Sequence, residues 1–269
     1  MNEDLGIIGH RAIRNRATRE LVTAVAPIYA EDFPYTNVSP KQPLLRYMDF
    51  WKFEDLFTSQ TLFFCRADKF KDPLEETISK KGIHRTSKSD IAFSNTAKFR
   101  EPAYETAADY RNTAKACTFV NCWHINDNES QAMWDAYTET PNSVLVISTA
   151  ECLAASVKQP VFGAAVKYVS EDEPRTEFDE RSLFFYKDVA FAFEREFRLL
   201  IDLMMFGGSI RRDPPDDFYR RVPVDLNTLV WAIQPHPQAT QGTKDKIDAL
   251  VKKYLPNAAE VSTEPESED

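Results

Sequence analysis

Glycine is scarce in this chain. The seven present lie at positions 6, 9, 82, 163, 207, 208 and 242. Those spacings make neither G-x-G-x-x-G nor G-x-x-x-x-G-K-[ST], which excludes the Rossmann fingerprint and the P-loop as written. No apolar run approaches the roughly 20 residues that a membrane-spanning helix needs. The first residues lack a basic stretch followed by an apolar one, so no signal peptide is expected. There is no G-x-S-x-G elbow and no H-E-x-x-H pair. The four histidines, at 10, 84, 124 and 236, stand in no recognisable hydrolase setting. Cysteine is equally sparse: Cys65, Cys117, Cys122 and Cys152. In a chain this long without a secretory signal, reduced thiols and a cytoplasmic location are expected. Cys117, Cys122 and His124 fall short of a structural zinc site, which wants four ligands and usually a C-x-x-C knuckle. No metal is expected, and the cysteines read as small buried residues.

What is present is an ordinary globular composition. The 269 residues are 43% hydrophobic and 28% charged, enough for one large domain or two small ones. The formal charge of −9 makes a general nucleic-acid surface unfavourable, so such a partner would need a local basic patch. Two candidates exist: Arg11, Arg14, Arg16 and Arg19 near the start, and Lys80, Lys81, His84, Arg85 and Lys88 in a polar stretch. Solvated faces explain both.

Leu21, Val22, Val25 and Ile28 have the spacing of an amphipathic helix, and Pro34, Pro40 and Pro43 mark 32–43 as a linker. Leu44–Met48 reads as a strand, with Asp49 placed to cap a helix that buries Phe50, Phe53, Leu56 and Phe57. Thr61–Cys65 and Thr118–Trp123 read as strands and Ser130–Tyr137 as a short helix. Residues 76–115 are polar, with helical character after 101. Val144–Ile147 and Val161–Val169 are further strands. Leu183–Phe193 looks helical, and Glu194–Leu203 reads as a strand that Gly207-Gly208 ends. Val230–Ile233 and Thr243–Tyr254 are a late strand and helix. Residues 257–269 are acidic and read as disordered. The irregular alternation of strands and helices predicts an α+β fold.

Arg46 stands inside an apolar strand, so its permanent charge requires a partner or a cleft. In Glu194-Arg195-Glu196-Phe197-Arg198, period two puts Glu194, Glu196 and Arg198 on one face. That cluster can stabilise a developing cation, or it is a plain ion pair on an edge strand. Trp123 reads as core, whereas Tyr137 has a polar tip beside a turn and can line a pocket. Asp72 before Pro73 reads as a turn former.

Three strings carry a resemblance. They are Leu45-Arg46-Tyr47 with Leu62-Phe63-Phe64-Cys65-Arg66-Ala67-Asp68-Lys69-Phe70-x-Asp72-Pro73-x-Glu75, Cys122-Trp123 with Met133-Trp134-x-x-Tyr137, and Phe193-Glu194-Arg195-Glu196-Phe197-Arg198-Leu199-Leu200. From about residue 44 to 235 the chain resembles the bacterial family catalogued as domain of unknown function 2971. More distantly it resembles ADP-ribosyltransferases. The resemblance implies a central mixed or antiparallel sheet flanked by helices in a single domain, taken as 44–256; the N-terminal helix and linker over 1–43 and the acidic tail lie outside it. It implies NAD as substrate and a macromolecular acceptor, protein or nucleic acid, with no membrane partner. A toxin or phage-defence effector is a natural setting for such a glycosyltransferase.

By the same resemblance Glu196 is the catalytic acid of an E-x-E pair with Glu194. Arg46 holds the diphosphate, and Tyr137 stacks on the nicotinamide or ribose. Ser148 is the other candidate for the middle position, although the serine-type motif lacks its final serine here. Arg66, Asp72 and Trp134 complete the expected NAD-binding set. Two rivals stay open: a non-enzymatic binding module in which the charged residues are structural, and a metal-dependent nucleic-acid-processing enzyme.

Overall fold

The computed structural model describes residues 8–9, 11–14, 21–24, 38–70, 107–159, 161–170, 184–203 and 215–256. Thirteen strands occur among them. Before the main body come β1 (Ile8–Gly9), β2 (Arg11–Arg14) and β3 (Leu21–Ala24). Next are β4 (Pro43–Asp49), β5 (Thr61–Arg66), β6 (Thr118–Ile125), β7 (Ser143–Thr149), β8 (Phe162–Ala165) and β9 (Lys167–Val169). Last are β10 (Tyr186–Asp188), β11 (Glu196–Asp202), β12 (Tyr219–Pro223) and β13 (Ala232–Pro235). The helices are α1 (Phe50–Ser59), α2 (Ala107–Cys117), α3 (Gln131–Tyr137), α4 (Ala150–Ser156), α5 (Leu226–Leu229) and α6 (Gln241–Tyr254).

The fold is α+β around a mainly antiparallel sheet ordered β1-β8-β11-β6-β4-β7-β13. Strand β6 is its branch point. One edge pairs with β11 along its length, from Glu196 opposite His124 to Asp202 opposite Thr118. The other edge is shared. Leu44 and Leu45 of β4 face Ile125 and His124, while Cys65 and Arg66 of β5 face Val120 and Phe119. Strand β12 continues the second branch beyond β5. Residues 121–123 therefore lie in the fork. The Asn121 amide bridges it by donating to the Phe63 carbonyl at 2.9 Å, and the Trp123 indole donates to Asn121 at 2.8 Å.

Period two decides what each face of the sheet carries. One face holds Leu44, Met48, Phe119, Trp123, Val144, Val146, Phe197, Leu199 and Ile201, all in the main core. Helix α1 covers part of it with Phe53, Leu56 and Phe57, three of the four residues predicted from spacing, while Phe50 is half-buried at its edge. Each fully buried side chain of this size contributes about 1.5–3 kcal/mol. The opposite face has two smaller apolar clusters: Val120 with Phe162, Ala164, Phe185 and Leu200, and Leu45 with Tyr47, Met133, Trp134 and Leu145. Between them runs a polar band of Cys122, His124, Glu196 and Arg198.

Several local expectations change. Leu21–Ala24, expected to start a helix, pairs with Arg11–Arg14 as a hairpin, and the β-branched Val22 and Thr23 favour the extended form. Leu183–Phe193 is not a helix where it is described. Tyr186–Asp188 is a strand, and Val189–Glu194 is a 3₁₀ turn opened by the Asp188 carboxylate on the Ala190 N–H. Strand β11 begins at Glu196 rather than Glu194, because Arg195 takes a left-handed conformation at φ 42° that breaks the extension. Asp49 precedes α1, but its side chain makes no cap; it accepts instead from Lys52 and from the Glu139 N–H, each at 2.8 Å. The Lys80–Lys88 patch, most of the 76–115 insertion, Gly207-Gly208 and the acidic tail lie outside the described residues.

Candidate functional site

The polar band gathers a charge cluster at the start of β11. Lys187 of β10 donates to Glu194 at 2.8 Å and lies 3.7 Å from Glu196. Arg198 donates to Glu196 at 2.8 Å and to the Phe184 carbonyl at 2.8 Å. Glu194, Glu196, Lys187 and Arg198 are all buried. Two acids against two bases leave the cluster formally neutral, which is what allows four charges to leave water together. Burial works against the Glu196 charge. Arg198, then Lys187 and a hydrogen bond from the Cys122 thiol, outweigh it, and the carboxyl titrates below its ordinary range. Burial also works against the Lys187 ammonium, but Glu196 and Glu194 overcome it and raise its pKa.

Two tyrosines border the cluster. Tyr137, at the end of α3 and 39% exposed, donates its hydroxyl to Glu194 at 2.9 Å. Burial first, then the charges of Glu194 and Glu196, hold its proton far above the usual phenol range, so it serves as a donor. Helix α3 is anchored by Trp134, whose ring meets Tyr47 edge-on at 4.8 Å and whose indole donates to Glu129 at 2.9 Å. The Tyr168 hydroxyl accepts the Glu196 N–H at 2.8 Å and pins the first residue of β11 from β9. His124, directly across from Glu196, meets the Glu194 carbonyl through Nδ1.

The structure brings the Tyr137 hydroxyl to Glu194, and Lys187 links Glu194 to Glu196. It does not bring Arg46 to them. Arg46 pairs across the sheet with Val146 on the Trp123 face, opposite the face that carries Glu196. Its guanidinium lies 5.7 Å from the Trp123 ring centroid, at the fork. Its Nη1 is shielded from water and meets no acceptor among the described residues. Burial pulls the Arg46 pKa down to about 10, and Cys122 acts in the opposite direction.

Ser148, paired with Leu44, also lies on the Arg46 face and is buried. Arg66 belongs elsewhere: it makes a two-pronged ion pair with Asp68 and donates to the Pro215 carbonyl, tying β5 to the approach to β12. Trp134 is core support rather than a cleft wall, being 1% exposed. Asp72 lies outside the described residues.

Four participants were not singled out from sequence. Lys187 carried a usable signal, a lone lysine after Phe184-Phe185-Tyr186, the same anomaly that drew attention to Arg46. Cys122 and His124 were discounted because their spacing fits no metal site, and Tyr168 gave no signal at all. None of the four cysteines is in a disulfide. Among the described residues no group of three or more His, Cys, Asp or Glu side chains is arranged to hold a metal, and no helix is long and apolar enough to cross a membrane. No family model, no curated protein and no solved structure matches this chain.

Proposed function

We infer that the chain cleaves NAD at the nicotinamide glycosidic bond and transfers the ADP-ribosyl group, to a macromolecule or to water. The observation that carries this reading is the meeting of both E-x-E carboxylates at one lysine, with the Tyr137 hydroxyl on Glu194. Loss of nicotinamide develops positive charge on the ribose, as in glycoside cleavage. Glu196, held ionised by Arg198, supplies the opposing charge. Tyr137 is the aromatic edge of the site and the one member of the cluster with substantial exposure. No glycine-rich loop is required for NAD bound in this way.

Arg46 enters as the cation for the diphosphate because its Nη1 has no acceptor among the described residues. Its position on the other face means that contact would have to be made at the fork, so it is tested separately. Titration calorimetry with NAD and with adenosine, which lacks the diphosphate, separates the two roles. Arg46→Gln is expected to weaken NAD binding at least tenfold and leave adenosine binding unchanged. Equal NAD binding by both proteins removes Arg46 from the site and leaves the glutamate chemistry standing.

A second reading has its own support. Glu196 is 4% exposed and contacts both Arg198 and Lys187. A carboxylate enclosed in this way also suits a non-enzymatic binding module whose ion pairs only hold β10 against β11. The two readings differ in whether nicotinamide is released.

A further inference from the structure

His124 is the one ring in the polar band whose hydrogen-bonding capacity is half used. Its Nδ1 meets a backbone carbonyl, that of Glu194, and a carbonyl can only accept. The proton is therefore on Nδ1, and Nε2 carries the lone pair. That Nε2 is buried and has no hydrogen-bond partner among the described residues, in a side chain 4% exposed. A buried acceptor without a partner pays the full cost of leaving water, a reason for a donor to sit there when substrate is bound.

The place of the ring matters as much as its tautomer. His124 lies directly across from Glu196 on the same face, so the two Cβ atoms are about 5 Å apart. The other basic candidates nearby are occupied: Glu194 by Lys187 and Tyr137, Glu196 by Arg198. Burial, assisted by Arg195, lowers the His124 pKa against the opposing pull of the Glu194 carbonyl and charge. The groups around it are Glu194 and Arg195 on the turn, Glu196 and Arg198 on β11, Cys122 on β6 and Tyr47 on β4. The Tyr47 hydroxyl accepts the Ser130 N–H at 2.9 Å and makes no hydrogen bond to Nε2.

We propose that His124 is the general base that takes the proton of the attacking hydroxyl group at Nε2, beside the carboxylate that stabilises the ribose cation. The inference rests on the NAD-cleaving reading above. In the step, the C1′–N bond to nicotinamide breaks and its electron pair leaves on the ring nitrogen, giving neutral nicotinamide. A hydroxyl oxygen forms the new bond to C1′, and its proton passes to Nε2. Water and a hydroxyl on a target molecule share this chemistry.

The test exploits the shape of asparagine, whose amide N–H stands where Nδ1–H stands and keeps the bond to the Glu194 carbonyl. Nicotinamide release is followed against pH for the wild-type chain and for His124→Asn, with the ADP-ribosyl product identified in each. Wild-type release is expected to rise with pH through a single ionisation below the ordinary histidine value of about 6.5. His124→Asn is expected to lose that ionisation and about 10²–10⁴-fold in rate. Free ADP-ribose identifies water as the source of the hydroxyl, and macromolecule-bound label identifies a target. An unchanged pH profile in the variant overturns the proposal. The wild-type imidazole is titrated by ¹⁵N NMR as a second measure, whatever the fate of the variant. An Nδ1–H tautomer whose pKa matches the kinetic one supports the proposal, and an Nε2–H tautomer refutes it. No release by the wild-type chain itself is instead a failure of the NAD-cleaving reading, and the base falls with it.

Discussion

Lys187 places one ammonium between two carboxylates, at 2.8 Å from Glu194 and 3.7 Å from Glu196. Among the described residues, removing it leaves Glu194 with the Tyr137 hydroxyl, and Glu196 with Arg198 and the Cys122 thiol. Breaking a buried ion pair by deleting one partner costs about 3–5 kcal/mol, because the surviving charge stays desolvated. Lys187→Met is therefore expected to destabilise the chain by about 3–5 kcal/mol in urea unfolding at pH 7. The loss should shrink as the pH falls and the carboxylates take up protons. A loss below about 1 kcal/mol would mean that the cluster is hydrated and worth no more than a surface pair. The residue scale also explains what sequence reading caught. A charge within an apolar run is legible, and Arg46 was found that way, whereas Glu196 stood out through the period-two spacing of Glu194, Glu196 and Arg198. Which face of the sheet each occupies was not, because the face depends on register across three strands.

At the scale of elements, the site depends on short pieces held by single contacts. Helix α3 has seven residues, too few to persist without tertiary packing. Trp134 supplies that packing through Tyr47, His236 and Glu129. Trp134→Ala is expected to cost about 3–5 kcal/mol. It should also free Tyr137 from Glu194, visible as faster hydrogen exchange across Gln131–Tyr137. Protection of those amides at wild-type level would show that α3 is held by something other than Trp134. The 3₁₀ turn Val189–Glu194 was read as helix because its apolar residues repeat at short intervals, and Val189 and Phe193 point to solvent instead. Its end was not legible either. Arg195 adopts φ 42° without being glycine, so no turn residue announced where the strand begins. The strands from β4 to β7, by contrast, were legible in outline: β5, β6 and β7 are rich in β-branched and aromatic residues, and β4 is a short apolar run between prolines and a helix.

At the scale of the whole molecule, the division of labour is between the two faces of one branched sheet. The face bearing Leu44, Trp123 and Phe197 is a continuous apolar core. The other face is interrupted by charge at the fork and beside it: Arg198 lies opposite Cys122, and Glu196 opposite His124, where β4 rejoins β6 at Leu45. The α+β class followed from the irregular order of elements. The branching did not, because it follows from β6 sharing one edge between β4 and β5, both distant from it in the chain. Charge balance within the band, rather than the overall −9, sets the site's electrostatics.

The central claim is that this band breaks the bond between ribose and nicotinamide, with Glu196 opposite the developing charge. The most direct measurement is nicotinamide released from NAD by the purified chain and by Glu196→Gln, a near-isosteric change that removes the charge, each with and without added cell lysate. The account predicts release by the wild-type chain and a loss of at least a hundredfold in the variant, with both proteins folded by circular dichroism. Equal release by the two would take Glu196 out of the chemistry. No release by either, lysate included, would contradict the claim and leave the ion pairs of β10 and β11 as architecture.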